Sequence, residues 1–399
     1  MLKELYPQIE KLLHSRGLRD FELYYERVQS KSYEAKDSAV EAAQGAVQEG
    51  LALRIFGDHR VAFGYSTDLR AEGLEVLVES AVAALPWIDP EEDAELAAPL
   101  PLSNSDLKNF DSSLDQIPPS RKIETALALE AAAKKVDPRV KHVRSATYEE
   151  KILSVELRHS GGLNVSHRRS RCSIGVMSVA EADGEAEGAY EFDSSPFFER
   201  LDAEKIGLAS ARLALSYLGA TTPGSRRVPV ILDPLVAGEI LEVLAGSFQG
   251  DSVFKKRSYL EAKLGQSIYS PSLNVYDDSL LPEGAGTAPF DGEGQPSRRL
   301  ALVENGVIAN FLLDTLYGRK LGQKPNGSLA RRGIQRPPFI SFANLLIPAG
   351  LTSDEALFRE VGSGILVTET FGMHAANPVT GDFSVGIQGF LIEGGEKRG

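Results

Sequence analysis

The side chains best suited to hold a metal or activate a nucleophile are few and scattered in this chain. Six histidines stand at 14, 59, 142, 159, 167 and 374. None belongs to an HExxH pair and no two are close enough to share a helix face, so zinc held by an i, i+4 histidine pair is not encoded. His159 and His167 flank a turn and could face each other across a hairpin, but no third donor accompanies them. Cys172 lies in CSIGVMSVA, a strand-like run, where a small core residue is the better reading than a nucleophile. The absence of a GxSxG elbow argues against an α/β-hydrolase, and neither a helix-opening GxGxxG nor a GxxxxGKS/T loop is present. The glycines of GAGTAPFDGEG lack a strand-to-helix setting and read as a flexible loop. One stretch stays open: LEVLAGSFQGD, residues 241–251, which continues a helical pattern and bears Glu242, Ser247 and Asp251.

Composition narrows the classes further. The chain has 399 residues, enough for two or three domains with substantial cores. Its net charge of −13 argues against general nucleic-acid binding, because phosphate contact needs a basic surface. The one basic cluster, His167-Arg168-Arg169-Ser170-Arg171, reads as a solvated strand end or turn. A single cysteine excludes an internal disulfide framework and fits a reducing compartment. Leu2, Leu5, Ile9, Leu12 and Leu13 have helical spacing, and the charges among them interrupt any signal-peptide core. No apolar run is long enough to span a bilayer, so the expected location is cytoplasmic and away from membranes.

These residues have to be positioned by an α+β fold, with N-terminal helices packed on antiparallel sheets and a β-rich C-terminal domain after them. Residues 1–88 form an α/β unit: a helix ending at Gly17, strands FELYYERV and SKSYEAKDSAVEAA, then LALRIF and VAFGYS around the turn 57–60. Ser66 or Thr67 caps a helix with Leu74, Leu77, Val78 and Ala81 as its apolar stripe. Residues 89–119, acidic and proline-rich, read as a connector over the surface. In 120–220, Ser120 caps RKIETALALEAAAKK, and a meander follows: VKHVRSATYEE, KILSVELRH, GLNVSHR, CSIGVMSVA and GAYEFD. The helix DAEKIGLASARLALSYLG closes this unit. Residues 221–225 mark a boundary, after which RVPVILD reads as a strand and PLVAGEILEVLAGSF as a helix. Asn305-Gly306 between apolar runs predicts a hairpin in the domain 225–399.

Four long blocks carry a resemblance. They are GEILEVLAGSFQGDSVFKKRSYLEAKLGQSIYSPSLNVYDD, RRLALVENGVIANFLLDTLYGRKLGQKPNGSLARRG, PPFISFANLLIPAG and GMHAANPVTGDFSVGIQGFLIEGGE. Together with EGLALRIFGDHRVAFGYSTDL they resemble the TldD/PmbA family, once called modulators of DNA gyrase and grouped with the metallopeptidases. In TldD-type members a helix carries His-Glu-x-x-x-His, and a later Gly-Met-Cys supplies the third zinc ligand. Aligned on the Gly-Asp that follows the helix, those positions fall on Glu242, Val243 and Ser247, and the cysteine falls on His374. A catalytic zinc needs three firm donors and a carboxylate base, and valine cannot act as that base.

The resemblance therefore implies the PmbA branch, also called TldE, whose members lack the metal site. Such a chain holds no cofactor of its own and pairs with a zinc-bearing TldD-type subunit, in a heterodimer or larger assembly, to degrade or trim unfolded peptides. In isolation it could form a homodimer. The resemblance also implies that substrate is added as a strand to an open sheet edge, with SFANLLIPAG or FSVGIQGFLIE as candidates against a reading of both as closed core strands. Arg319, Lys320, Arg331 and Arg332 face the chamber or partner, or else lie in a solvated loop. Two alternatives stand beside this. One is a stand-alone metallopeptidase using Glu242 and His374, with a water or Asp251. The other is a regulatory protein of a gyrase or toxin-antitoxin system, to which the acidic charge lends no direct DNA contact.

Overall fold

The computed structural model describes residues 1–102, 106–377 and 379–398, without the side chain of His374. Its organising element is a six-stranded antiparallel sheet. After helix α1 (Leu2–His14) come β1 (Asp20–Lys36), β2 (Ala39–Gly57) and β3 (Arg60–Ser66), then helix α2 (Ala71–Ala84). Helix α3 (Pro119–Lys134) leads into β4 (Val140–His159), β5 (Asn164–Ala182) and β6 (Glu185–Ser195), and helix α4 (Ala203–Tyr217) follows. The strand order is β3-β2-β1-β4-β5-β6, so residues 1–88 and 120–220 contribute three neighbouring strands each.

The long strands exceed what their local patterns suggest. FELYYERV and the first part of SKSYEAKDSAVEAA are one strand, and the turn falls inside the second run, at Asp37-Ser38, both with positive φ. Asp-Ser is a weaker signal for that turn than Asn-Gly, which is why it was not legible. The predicted breaks within 140–159 and 164–182 are likewise absent, and β4 instead absorbs two register irregularities near its start. The expected caps also differ. α2 and α3 start after Arg70 and Pro118 without a side-chain cap, and Ser66 turns its hydroxyl to the backbone of Asp68.

One face of the sheet is covered by helices. Leu74, Leu77, Val78 and Ala81 of α2 bury as a stripe beside Leu5 and Ile9 of α1, against Phe21, Leu23, Leu53 and Ile55. Farther along, α3 and α4 pack on Tyr33, Tyr148, Ile174 and Val176, with Cys172 fully buried among them. Burial also pushes the Cys172 thiol up to about 11, so it is an inert core residue. The segment 89–119 is not wholly superficial: Ala97, Asn109, Asp111 and Leu114 are buried, and Asn109 Nδ2 donates to Thr287 O at 2.9 Å.

The rest of the chain is short strands and loops around a second core. In order it holds β7 (Val230–Leu232), α5 (Pro234–Ala245), α6 (Gly250–Phe254), β8 (Val275–Asp278), β9 (Arg299–Glu304) and β10 (Val307–Ile308). Then come α7 (Thr315–Lys320), β11 (Leu329–Ala330), β12 (Phe339–Ile340), β13 (Leu345–Leu346), α8 (Asp354–Val361), β14 (Ser363–Phe371), β15 (Gly386–Glu393) and β16 (Glu396–Arg398). Sheets β10-β9-β8-β13 and β16-β15-β14-β7 and the pair β11-β12 result, with β7 and β14 parallel. Asn305-Gly306 forms the expected hairpin turn between β9 and β10, both residues at positive φ. The fold is α+β throughout. Phe290 and Ile334 of this part pack onto Tyr24, Leu153, Val155 and Leu157, the sheet face that the helices leave bare. That contact leaves a cleft.

Candidate functional site

Helix α5 begins at Pro234, where the Asp233 side chain accepts a hydrogen bond from Leu235 N at 3.0 Å. Three faces of this helix then go three ways. Leu241 packs into the C-terminal core. Glu242 is exposed and lines the large cleft, of about 1060 Å³, between the six-stranded sheet and the C-terminal part. Val243, with Ile240 and Leu244, faces Met373, Asn377 and Phe383 of the loop that contains His374. Ser247 lies beyond the helix end in a 3-10 turn, fully buried, its carbonyl accepting from Ser258 Oγ at 2.6 Å.

Glu242, Val243 and Ser247 meet different surroundings. Consecutive helical residues point about 100° apart, so Glu242 opens on the cleft while the Val243 side meets the loop. Valine offers no donor, and Ser247 is buried. The backbone of His374 lies in a 3-10 turn, Met373–Ala375, and its side chain is outside the described residues. Asp251, the other donor considered, sits in α6, pairs with Lys255 at 3.0 Å and lines a different cavity, beside Glu293 and Asp314. Among the described residues no group of three His, Cys, Asp or Glu could hold a metal.

The cleft itself is built by buried charge. Beside it Glu22 and Arg331, their side chains each 3% exposed, form an ion pair, and Arg54 approaches Glu22 at 3.4 Å. Burial raises the Glu22 carboxyl, but Arg331 and then Arg54 hold it below the ordinary range. Asp291 accepts from Glu293 N, Gln295 N and Leu329 N at 2.9–3.0 Å, yet burial still pushes it up to about 6. Burial, with Asp291 and Asp314 nearby, drives Glu293 well above its usual value.

The basic residues singled out from sequence separate into two groups. Arg319 and Lys320 are neither free nor in the cleft. Arg319 pairs with Glu95, and Lys320 with Glu91 at 2.6 Å, tying α7 to the 89–119 segment. Arg331 and Arg332 line the cleft, Arg332 lying over Phe339 at 5.1 Å. His159 and His167 do not meet: His167 pairs in register with Val155, four residues along β4 from His159, roughly 13 Å away. The cluster 167–171 is not a solvated turn. It lies within β5, and its alternate members His167 and Arg169 line the cleft. A run of five residues could not show which sheet face would be covered, and that covering comes from Phe290, more than a hundred residues later.

Both candidate strands present an open edge. Among the described residues β13 pairs only with β8, and β16 covers Leu391–Glu393 of β15, with no described strand along Gly386–Phe390 on that side. Asp277 holds the β13 segment, its Oδ1 accepting from Ala343 N at 2.8 Å and Asn344 N at 2.9 Å. Burial nevertheless pushes Asp277 up to about 6. Because this folded value lies above the usual one near 4, its stabilising contribution is complete below the unfolded value and is lost as pH rises through about 6. Asp277→Asn keeps Oδ1 as acceptor and removes the charge. Relative to the parent, it is expected to gain about 2 kcal/mol between pH 4.5 and 7.5. Urea unfolding at the two pH values measures this, and an unchanged difference would refute it.

Family models for PmbA/TldA metallopeptidases match domain 1 at residues 21–85, the central domain at 112–218 and the C-terminal domain at 225–399. The chain belongs to the PmbA/TldD family. It is 27% identical over 378 residues to the "Metalloprotease PmbA homolog" of Haemophilus influenzae, covering 93% of this chain and 80% of that one. "Metalloprotease PmbA" of Escherichia coli O157:H7 is 28% identical over 353 residues, 87% and 75% of the two chains. The crystal structure of TldE from Thermococcus kodakarensis superposes with TM-score 0.89 at 22% identity, covering 98% of this chain and 89% of the other, which establishes a common fold.

Proposed function

We propose that this chain is a PmbA/TldE-type subunit, without catalytic chemistry of its own, that completes a peptide-degrading assembly with a zinc-bearing TldD-type partner. The supporting observation is the dispersal of the aligned positions: Glu242 on the cleft, Val243 against the 373–383 loop, Ser247 in the core. Water activation on zinc needs firm donors and a carboxylate base; valine offers neither, and a neutral serine hydroxyl is a poor zinc donor. The subunit's contribution is instead a wall of the reaction space and a place for substrate. An extended peptide added to the free edge of β13 or β15 would be held through its backbone, which suits unfolded sequences of any composition.

The test compares hydrolysis of an unstructured peptide by this chain alone, by a TldD-type chain alone and by the mixture, with zinc per chain measured in parallel. Hydrolysis is expected only where the TldD-type chain is present, is raised by this chain, and accompanies near-zero zinc here. Hydrolysis by this chain alone, abolished in His374→Ala and accompanied by one zinc per chain, would overturn the proposal.

A further inference from the structure

Among the described residues His167 is the one cleft side chain with both polar atoms idle. Among the described residues neither Nδ1 nor Nε2 has a hydrogen-bond partner, and both are shielded from bulk water. Its ring is held edge-on to Phe290, centroids 5.3 Å apart. Burial, and then Arg169, lower its proton affinity to a pKa of about 4, so at neutral pH the imidazole offers one N–H and one lone pair. A buried polar group without a partner costs free energy unless something fills the gap.

Two residues along β5, Arg169 leaves the same face of the sheet and lines the same cleft. Its Nη1 donates to Ala285 O at 3.1 Å, and no carboxylate of a described residue stands within ion-pair distance. The nearby acids are otherwise engaged. Glu26 accepts from Tyr24 at 2.8 Å, Asp291 from three backbone N–H groups, and Glu283 pairs with Arg200. Glu242 is exposed on the cleft. Lys151 lines the cleft as well, beside Arg169. In a chain of net charge −13, this is a largely desolvated cation with no described carboxylate in ion-pair distance, Glu26 acting on it only from farther off.

We propose that His167 and Arg169, with Lys151 at the rim, form a binding site for a carboxylate, the terminal or side-chain carboxylate of an extended peptide in the cleft. Residues two apart on a strand are roughly 7 Å apart, a gap one carboxylate can bridge by accepting charge-assisted bonds of about 2.8 Å from each side. The guanidinium supplies charge and fork geometry, and the imidazole N–H supplies direction. The peptide in this assignment rests on the proposed function, whereas the anion site does not.

The experiment therefore has two arms. In the first, acetate replaces chloride at constant pH and ionic strength while the ring signals of isotopically labelled histidine are followed by NMR, His167 being assigned through His167→Gln. The His167 signal is expected to move saturably. Arg169→Gln is expected to abolish that movement while leaving the His159 signal and the unfolding temperature in place. In the second arm, a fluorescent unstructured peptide is bound as its free acid and as its C-terminal amide, and with Glu or Gln in mid-chain. The charged form of one pair is expected to bind about tenfold more tightly, with Arg169→Gln erasing the difference. The pair that responds identifies terminus or side chain. If acetate leaves His167 unmoved, the site is refuted. If acetate moves it and no peptide binds, the site stands and the peptide reading falls.

Discussion

Arg331→Met is expected to lower stability by about 3–5 kcal/mol, the range for removing one partner of a buried ion pair. The guanidinium pairs with Glu22, donates from Nε to Gly292 O at 2.6 Å and lies 4.5 Å over the Tyr24 ring. With Arg331 gone, Arg54, at 3.4 Å, is the one described cation left in ion-pair distance of Glu22, a side chain 3% exposed in the parent. Glu22 is also held below the usual carboxylate range, so its contribution is present above the unfolded value near 4 and is lost as pH falls. The loss in Arg331→Met should accordingly be larger at pH 7 than at pH 4. Residues 22 and 331 belong to the six-stranded sheet and the C-terminal part, so the variant loosens the wall of the cleft as well as the fold. Urea unfolding of the variant and of Glu22→Gln/Arg331→Met measures this. The double variant should regain part of the loss, because a neutral amide is cheaper to bury than an unpaired carboxylate. A single-variant loss below about 1 kcal/mol would show that the pair is solvated and the argument wrong.

Lys122→Met carries the second large effect, about 3 kcal/mol. Lys122 is 1% exposed on α3, and its Nζ meets Glu150 Oε2 at 2.6 Å and Leu114 O at 3.0 Å. Glu150 also accepts from the Tyr148 hydroxyl at 2.7 Å and pairs with Lys31 at 3.2 Å. The remaining Lys31 keeps the expected loss at the lower end of the range, and Lys31→Met added to Lys122→Met should take it to the upper end. Lys122 also ties the end of the 89–119 segment to the helical layer. Amide exchange at residues 114–117 should therefore accelerate in Lys122→Met more than exchange in β9 or β10. Equal acceleration everywhere would show that the lysine supports the whole molecule rather than this junction.

The two buried pairs show where reading residues in order stops being informative. Local features were legible because their causes act over a few residues. The α2 stripe follows from helical period, the Asn305-Gly306 hairpin from two positions that tolerate positive φ, and the buried Cys172 from the apolar run around it. The family was legible too, through the resemblance of long blocks, and the family models match all three parts of the chain. Strand lengths were less so, since β1, β4 and β5 continue through polar segments. Their polar side chains are stabilised by neighbouring strands rather than by any pattern of their own.

The tertiary structure alone decided which charges are buried. Glu22 and Arg331 lie 309 positions apart, and nothing in either local sequence distinguishes them from solvated charges. His167 and Arg169 look like a basic turn until Phe290 and the loop around Ala285 close over that face of the sheet. By itself the sequence determined the periodicities, the turns and the family resemblance. Desolvation, which sets whether a charged side chain is ornament, strut or binding group, depends on every chain segment within a few ångströms, and only the folded molecule brings those segments together.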